Sequence, residues 1–143
     1  MPNWATHRLD QLVRGDVALP PVTRTLRLGT LDSWGPGWIK KTWSPDAGLL
    51  NVDGSLFGGY IAALADQALT FAAMTSMPDG MVFRTLNLSV TFLRVGKAET
   101  IGIEARVTSQ TRQIISTWAE FVRPDGKLIA EASAQQFLQP ATG

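Results

Sequence analysis

The chain contains no cysteine and a single histidine, His7. The first absence excludes a disulfide framework, a thiol nucleophile and thiolate metal sites. The second removes a Ser-His-Asp triad and a histidine-rich metal centre from the core, because His7 lies in an N-terminal segment patterned as a surface helix. Charge of one sign is also scarce. Thirteen Lys and Arg against 12 Asp and Glu leave a formal net charge of +1, with both signs interspersed. That balance predicts neither a nucleic-acid face nor a polybasic membrane patch. The first residues, Met-Pro-Asn-Trp-Ala-Thr-His-Arg, carry no apolar signal core and no cleavage pattern, so a cytoplasmic protein is expected. Phosphate loops and dinucleotide fingerprints are missing too, and neither a metal nor a cofactor is expected.

What is present suffices for a real core. The 143 residues are 45% hydrophobic and show no repeat or linker, which predicts one domain over 1–143. Residues 1–34 would form a helix and an extension, and 35–138 the core. Residues 4–14 read as a short amphipathic helix with Leu9, Leu12 and Val13 inward, ended by Gly15. Thr23–Leu28 and Gly37–Trp43 read as strands, separated by the breakers of Asp32-Ser-Trp-Gly-Pro-Gly37. Leu86, Leu88, Val90 and Phe92 alternate with polar residues, as do Ile101, Ile103, Ala105 and Val107; Gln113–Val122 and Leu128–Leu138 alternate less sharply. The loops between these four strands are too short for crossover helices, so the strands should be antiparallel.

Between the two sets lies Asn51-Val-Asp-Gly54-Ser-Leu-Phe57-Gly58-Gly59-Tyr60, running into an Ala- and Leu-rich stretch that ends near Thr75. Asn51, Asp53 and Ser55 are good caps, and a helix over about 55–75 is expected. Apolar residues lie all round it, which predicts protein on nearly every side. A membrane span is argued against by Asp66 at its middle, by the glycine pair and by the lack of flanking basic residues. One all-round apolar helix and five or six antiparallel strands have an economical arrangement, an α+β fold whose curved sheet wraps the helix. Pairing with a second copy would then cover the sheet's outer face and edges.

Asp66 has no Lys or Arg within one helical turn. A carboxylate buried without a partner is expensive enough to mark a site, and desolvation suits it to act as a general base or as a nucleophile toward an acyl carbon. Gly58-Gly59 would let a ligand carbonyl approach free N–H groups at the helix N-terminus, the makings of an oxyanion hole. Phe57, Tyr60, Leu64 and Gln67 share one helical face, and are expected to line a short or flat acyl tunnel. Trp34, Trp38 and Trp43 are expected to pack rather than to stack on a ligand.

Asn51-x-x-Gly54-x-x-Phe57-Gly58-Gly59, with Asp66 seven residues further on, resembles the signature of hotdog-fold acyl-CoA thioesterases. Arg84-Thr-Leu-Asn-Leu-Ser-Val-Thr-Phe-Leu-Arg94 and Asp125-Gly-Lys-Leu-Ile-Ala130 are similar to strands of the PaaI-like branch, within the 4-hydroxybenzoyl-CoA thioesterase superfamily. That branch usually has His where this chain has Phe57, whereas a long-chain acyl-CoA hydrolase branch has Phe-Gly-Gly. The resemblance implies a hotdog fold and hydrolysis of an acyl-CoA to free acid and CoA, without metal or cofactor. It implies that Asp66 is the catalytic carboxylate and that the Gly58 N–H polarises the thioester carbonyl. Asn51 would orient water or substrate, and Thr85 would hydrogen-bond near the nucleophile. Gly59 and Asn87 would also contact substrate, and Ser109, Gln110, Thr111 and Arg112 would lie along the CoA arm. It implies a homodimer, or a dimer of dimers, in which Asp66 and Thr85 of one subunit face Asn51 and Gly58 of the other. With the bulky Phe57 and Tyr60, a medium-chain or aromatic acyl group is expected. The rival readings are a non-catalytic acyl-CoA sensor or carrier, and a 3-hydroxyacyl thioester dehydratase, which would want a core histidine.

Overall fold

A computed structural model describes residues 3–141; Met1, Pro2, Thr142 and Gly143, which the single-domain expectation also spans, lie outside them. Helix α1 (Trp4–Arg14) starts on a reciprocal capping pair between Asn3 and Thr6 and ends at Gly15, whose φ of 75° only glycine adopts freely. Its Leu9 and Leu12 are buried, but Val13 faces solvent, contrary to the expected pattern.

The segment expected to be a strand at 23–28 is instead a short helix, α2 (Pro21–Thr25). Pro21 sits at its first position, where the ring's fixed φ favours helix and the missing N–H is not needed. Strand β1 (Ser33–Gly35) lies within the expected breaker cluster and pairs with β2 (Trp38–Trp43) through a tight turn at Pro36-Gly37. Gly37 has φ 83°, which this turn demands.

Helix α3 (Gly58–Met74) begins later than the caps at 51–55 suggest. Asn51, Asp53 and Ser55 bond among themselves: the Asn51 Nδ2 donates to Ser55 Oγ and Leu56 O, and Ser55 donates to Asp53. Their capping capacity is spent on that turn, and α3 starts at Phe57 with no side-chain cap.

Strands β3 (Met81–Phe92), β4 (Ile101–Gln110), β5 (Ile114–Val122) and β6 (Leu128–Pro140) complete an antiparallel sheet in the order β1-β2-β4-β5-β6-β3. Leu64, Ala65, Ala68, Leu69 and Ala72 of α3 are fully buried, as are Ile103, Ile115, Phe121 and Ile129 on the sheet. The alanines let the helix axis sit close to the strands, and each large side chain so buried is worth about 1.5–3 kcal/mol. This is the hotdog arrangement, a curved sheet around one long helix. The wrapping is incomplete, however. Ala62, Ala63 and Thr70 are half-buried and Asp66 is exposed, so the helix keeps one open face that its all-round apolar composition does not predict. Edge strand β3 is exposed over most of its length, with Leu86 at 56% and Phe92 at 54%.

Candidate active site

Asp66 projects from the middle of α3's open face, and one contact holds it: Thr85 Oγ1 donates to its Oδ1 at 3.3 Å. Thr85 reaches it because of an irregularity in β3. Thr85 pairs with Gln136, but Asn87 pairs with Gln135, so one extra residue, Leu86, is accommodated between them. Gln136 is fully buried on the concave face and Gln135 is exposed on the convex one. Thr85 therefore points toward the helix and Asn87 away from it, where Asn87 Nδ2 donates to Gln135 Oε1 at 2.9 Å. Strict alternation puts 85 and 87 on one face, but a bulge breaks that parity. Asn87 accordingly lies on the face of β3 opposite to Thr85 and Asp66.

The expected burial of Asp66 also needs correction: one chain leaves it exposed, because the flanking Ala62, Ala63 and Thr70 side chains are too short to cover it. Gly58 and Gly59 open the same helix, where the first N–H groups have no intrahelical acceptor. A Cβ on Gly58 would stand 3.1 Å from the Phe92 ring, and one on Gly59 would strike the Phe57 ring at 2.6 Å. Asn51 lies beside that end through its bond to Leu56 O, and Phe57 is exposed there. The Ser109–Arg112 hairpin is exposed at the other end, where Gln110 Nε2 donates to Ser76 O at 3.1 Å, just beyond the helix C-terminus. The site residues thus fall into three groups along one helix. Gly58 and Asp66 are eight residues apart, about 12 Å at 1.5 Å per residue. One carbonyl cannot meet both within one chain, since an oxyanion donor must stand about 3 Å away.

An apolar cavity of about 290 Å³ opens beside Asp66. Leu12 of α1, Val22, Leu26 and Leu28 form one wall, and Ala63, Asp66, Gln67 and Phe71 of α3 form the other. Thr30 Oγ1, also on its lining, is buried without a hydrogen-bond partner. The tunnel expected along Phe57, Tyr60, Leu64 and Gln67 is not formed. Leu64 is fully buried in the core, and Tyr60 is buried against Trp43, their rings stacked at 5.1 Å.

Tyr60 and Gln67 both bond to backbone carbonyls. The segment 26–29 has no strand partner, yet its four successive carbonyls are each met by a side chain from the core. Tyr60's hydroxyl is aimed at Leu26 O and Arg27 O, the latter at 2.8 Å, and Trp43 Nε1 donates to Arg27 O at 3.2 Å. Lys41 Nζ donates to Leu28 O at 2.7 Å, and Gln67 Nε2 donates to Gly29 O at 2.8 Å. Lys41 also donates to Gln67 Oε1 at 2.6 Å. Arg27 takes a φ of 53°, rare for a residue with a side chain, and its guanidinium pairs with Asp46.

Lys41 was missed because it sits in Trp-Ile-Lys-Lys-Thr-Trp43, where either lysine could face water. The pleat turns Lys40 outward and leaves Lys41 only 2% exposed. Burial pushes its ammonium down from 10.5 to about 8, with Asp32 opposing part of the shift. Below about pH 8 both folded and unfolded chains hold this proton, and the folded chain bears the whole desolvation penalty. From about 8 to 10.5 only the unfolded chain keeps it, so stability rises with pH across that window, by about 3 kcal/mol in full. Urea unfolding at pH 7 to 10 should show this rise in the wild type and lose it in Lys41→Met. Parallel curves for the two proteins would deny Lys41 the shifted titration.

The thioesterase superfamily model matches residues 53–130, more than half of the chain, and the chain belongs to that superfamily, a class of thioester hydrolases. No curated protein matches. Among solved structures, a phenylacetic acid degradation-related protein from Ralstonia eutropha JMP134 is 27% identical, with a TM-score of 0.80 over 90% of this chain and 98% of that one. A thioesterase family protein from Silicibacter pomeroyi is 26% identical, with a TM-score of 0.79 over 93% and 99%. A Streptococcus mutans protein solved with acetyl-CoA shares the fold at 24% identity, with a TM-score of 0.71 over 77% and 87%. Among the described residues no helix is long and apolar enough to cross a membrane.

Proposed function

We propose that the chain, as one unit from 1 to 143, is an acyl-CoA thioesterase that hydrolyses medium-chain or aromatic acyl-CoAs to the free acid and CoA. The observation that carries this reading is Asp66, held by Thr85 on the rim of an apolar cavity, in a chain of the thioesterase superfamily. Asp66 takes a proton from water, and the resulting hydroxide forms a C–O bond to the thioester carbonyl carbon. The partner subunit's Gly58 N–H, at its helix N-terminus, stabilises the oxyanion, and the partner's Asn51 orients the water. Collapse breaks the C–S bond, and the CoA thiolate leaves with the proton from Asp66. The CoA arm runs along the exposed Ser109–Arg112 hairpin.

The separation of about 12 Å supports a homodimer, alone or doubled into a tetramer. Two antiparallel copies would bring each Asp66 to the other's Gly58, and would cover the exposed Leu86, Leu88 and Phe92 of β3. The test is CoA release, followed with a thiol reagent, across acyl-CoAs from acetyl to palmitoyl plus benzoyl and phenylacetyl. Turnover at medium or aromatic acyl groups is expected. Tight binding with no release would instead mean an acyl-CoA sensor or carrier.

A further inference from the structure

The wall opposite Asp66 includes the segment 26–29, which lies in no strand and is nevertheless fastened at each of its carbonyls. Four consecutive carbonyls, Leu26 to Gly29, take hydrogen bonds from Tyr60, Trp43, Lys41 and Gln67, which come from β2 and α3. A surface loop needs no such set of donors, and burying a lysine in a core is costly. An arrangement of this kind holds a segment in one position. On the cavity side, Val22 of α2 and Leu26 are 56% and 38% exposed.

We propose that this cavity is the acyl-binding pocket, that Val22 and Leu26 set the length of acyl group it accepts, and that Lys41, through Gln67 and Leu28 O, is the positioning residue of its wall. The inference rests on the thioesterase reading, because Asp66 on the rim is what makes the occupant an acyl group. A thioester carbonyl at Asp66 has two places to send its acyl chain. One lies between α3 and the partner's strands, and the other is this cavity. The helical face first expected to line a tunnel is taken up by core packing, since Leu64 is fully buried and Tyr60 is engaged with Trp43 and the 26–27 carbonyls. The cavity's mouth, by contrast, includes the carboxylate itself. Its walls are chiefly aliphatic with one phenyl ring, and bear no cationic side chain, which suits an uncharged hydrocarbon chain or an aryl group. A volume of about 290 Å³ lies at the lower limit for small-molecule pockets, roughly 300–1,000 Å³, so a long saturated chain would overrun it.

Because the wall is pre-formed, its residues should act on selectivity and leave the chemistry alone. Val22→Trp and Leu26→Trp add bulk to the wall opposite Asp66 and leave Asp66, Thr85 and Gly58 themselves unchanged. Each is expected to lower kcat/KM for octanoyl- and phenylacetyl-CoA by about ten- to a hundredfold while leaving acetyl-CoA within about twofold. Lys41→Met releases the wall, and is expected to raise KM for octanoyl-CoA about tenfold with kcat held. A uniform fall in kcat for every substrate would make Lys41 merely structural and would remove it from the proposal.

If the wild type hydrolyses acyl-CoAs and both folded tryptophan variants keep its chain-length profile, the pocket is elsewhere and the inference falls while the thioesterase reading stands. If the wild type releases CoA from nothing, that reading falls first. The pocket is then decided by saturation-transfer NMR with octanoate. Binding to the wild type that is lost in Val22→Trp supports it, and equal binding or none overturns it.

Discussion

Asp66→Asn is expected to lose about two to four orders of magnitude in kcat, the range that a single positioned proton-transfer group supplies. Asparagine keeps the size and the acceptor oxygen that Thr85 meets, so only the base is removed. Since Asp66 is exposed in the isolated chain and pairs with no cation, the substitution should move stability by no more than about 0.5 kcal/mol. Substrate affinity should hold as well, because in the proposed complex the acyl cavity and the Ser109–Arg112 hairpin supply most of the contacts. The measurement is single-turnover hydrolysis beside a thermal melt and an acyl-CoA titration. Turnover near the wild-type value would take the catalytic role from Asp66. A melt several degrees lower would show the carboxylate to be structural.

Gly58→Val should be nearly as severe. A valine there adds bulk over the helix's first N–H groups and meets the Phe92 ring, so loss of the oxyanion donor should lower kcat by about 10²–10³-fold. The more informative result comes from mixing the two variants. Gly58 and Asp66 stand too far apart on α3 to serve one carbonyl, so in the proposed dimer each site draws them from different subunits. A hybrid of one Asp66→Asn chain and one Gly58→Val chain carries one doubly damaged site and one intact site. Random re-pairing makes half of the dimers hybrid, so an equal mixture should recover about a quarter of wild-type activity. A mixture no more active than its parts, under conditions where subunits demonstrably exchange, would place both groups in one chain's site. A fully active monomer in sedimentation at micromolar concentration would do the same.

The local elements that the sequence carries are those whose signal is local. Alternating apolar residues give β4 its inward Ile101, Ile103 and Ala105, and Pro124 to Gly126 turn the hairpin between β5 and β6, with Gly126 at φ 86°. Asn3, Gly15 and the Ala/Leu run fix α1 and most of α3 in the same way. The sequence errs where local preference competes with something distant. Thr23–Leu28 has the composition of a strand, but Pro21 starts a short helix there, and the carbonyls of 26–29 that follow bond to Tyr60, Trp43, Lys41 and Gln67. Asn51, Asp53 and Ser55 can all cap, and which group they satisfy depends on how the chain turns before α3.

The site divides along the same line. Its chemical groups were legible in the sequence, because a lone Asp and a Gly-Gly pair inside an apolar helix contradict their surroundings. Their geometry was not. A bulge at Leu86 separates Thr85 from Asn87, and no periodicity announces a single extra residue. Whether Lys40 or Lys41 is buried depends on which face of β2 meets the helix, and the pattern Lys-Lys is silent on that. The sequence alone determined the carboxylate, the glycines and the class of fold, since these follow from residue type and spacing of a few positions. Only the tertiary structure decided that Asp66 faces outward and that the Tyr60 hydroxyl meets the carbonyls of 26 and 27. It alone also set the 19–30 segment opposite Asp66 across an apolar cavity, because each of these is a contact between residues about 20 to 40 positions apart.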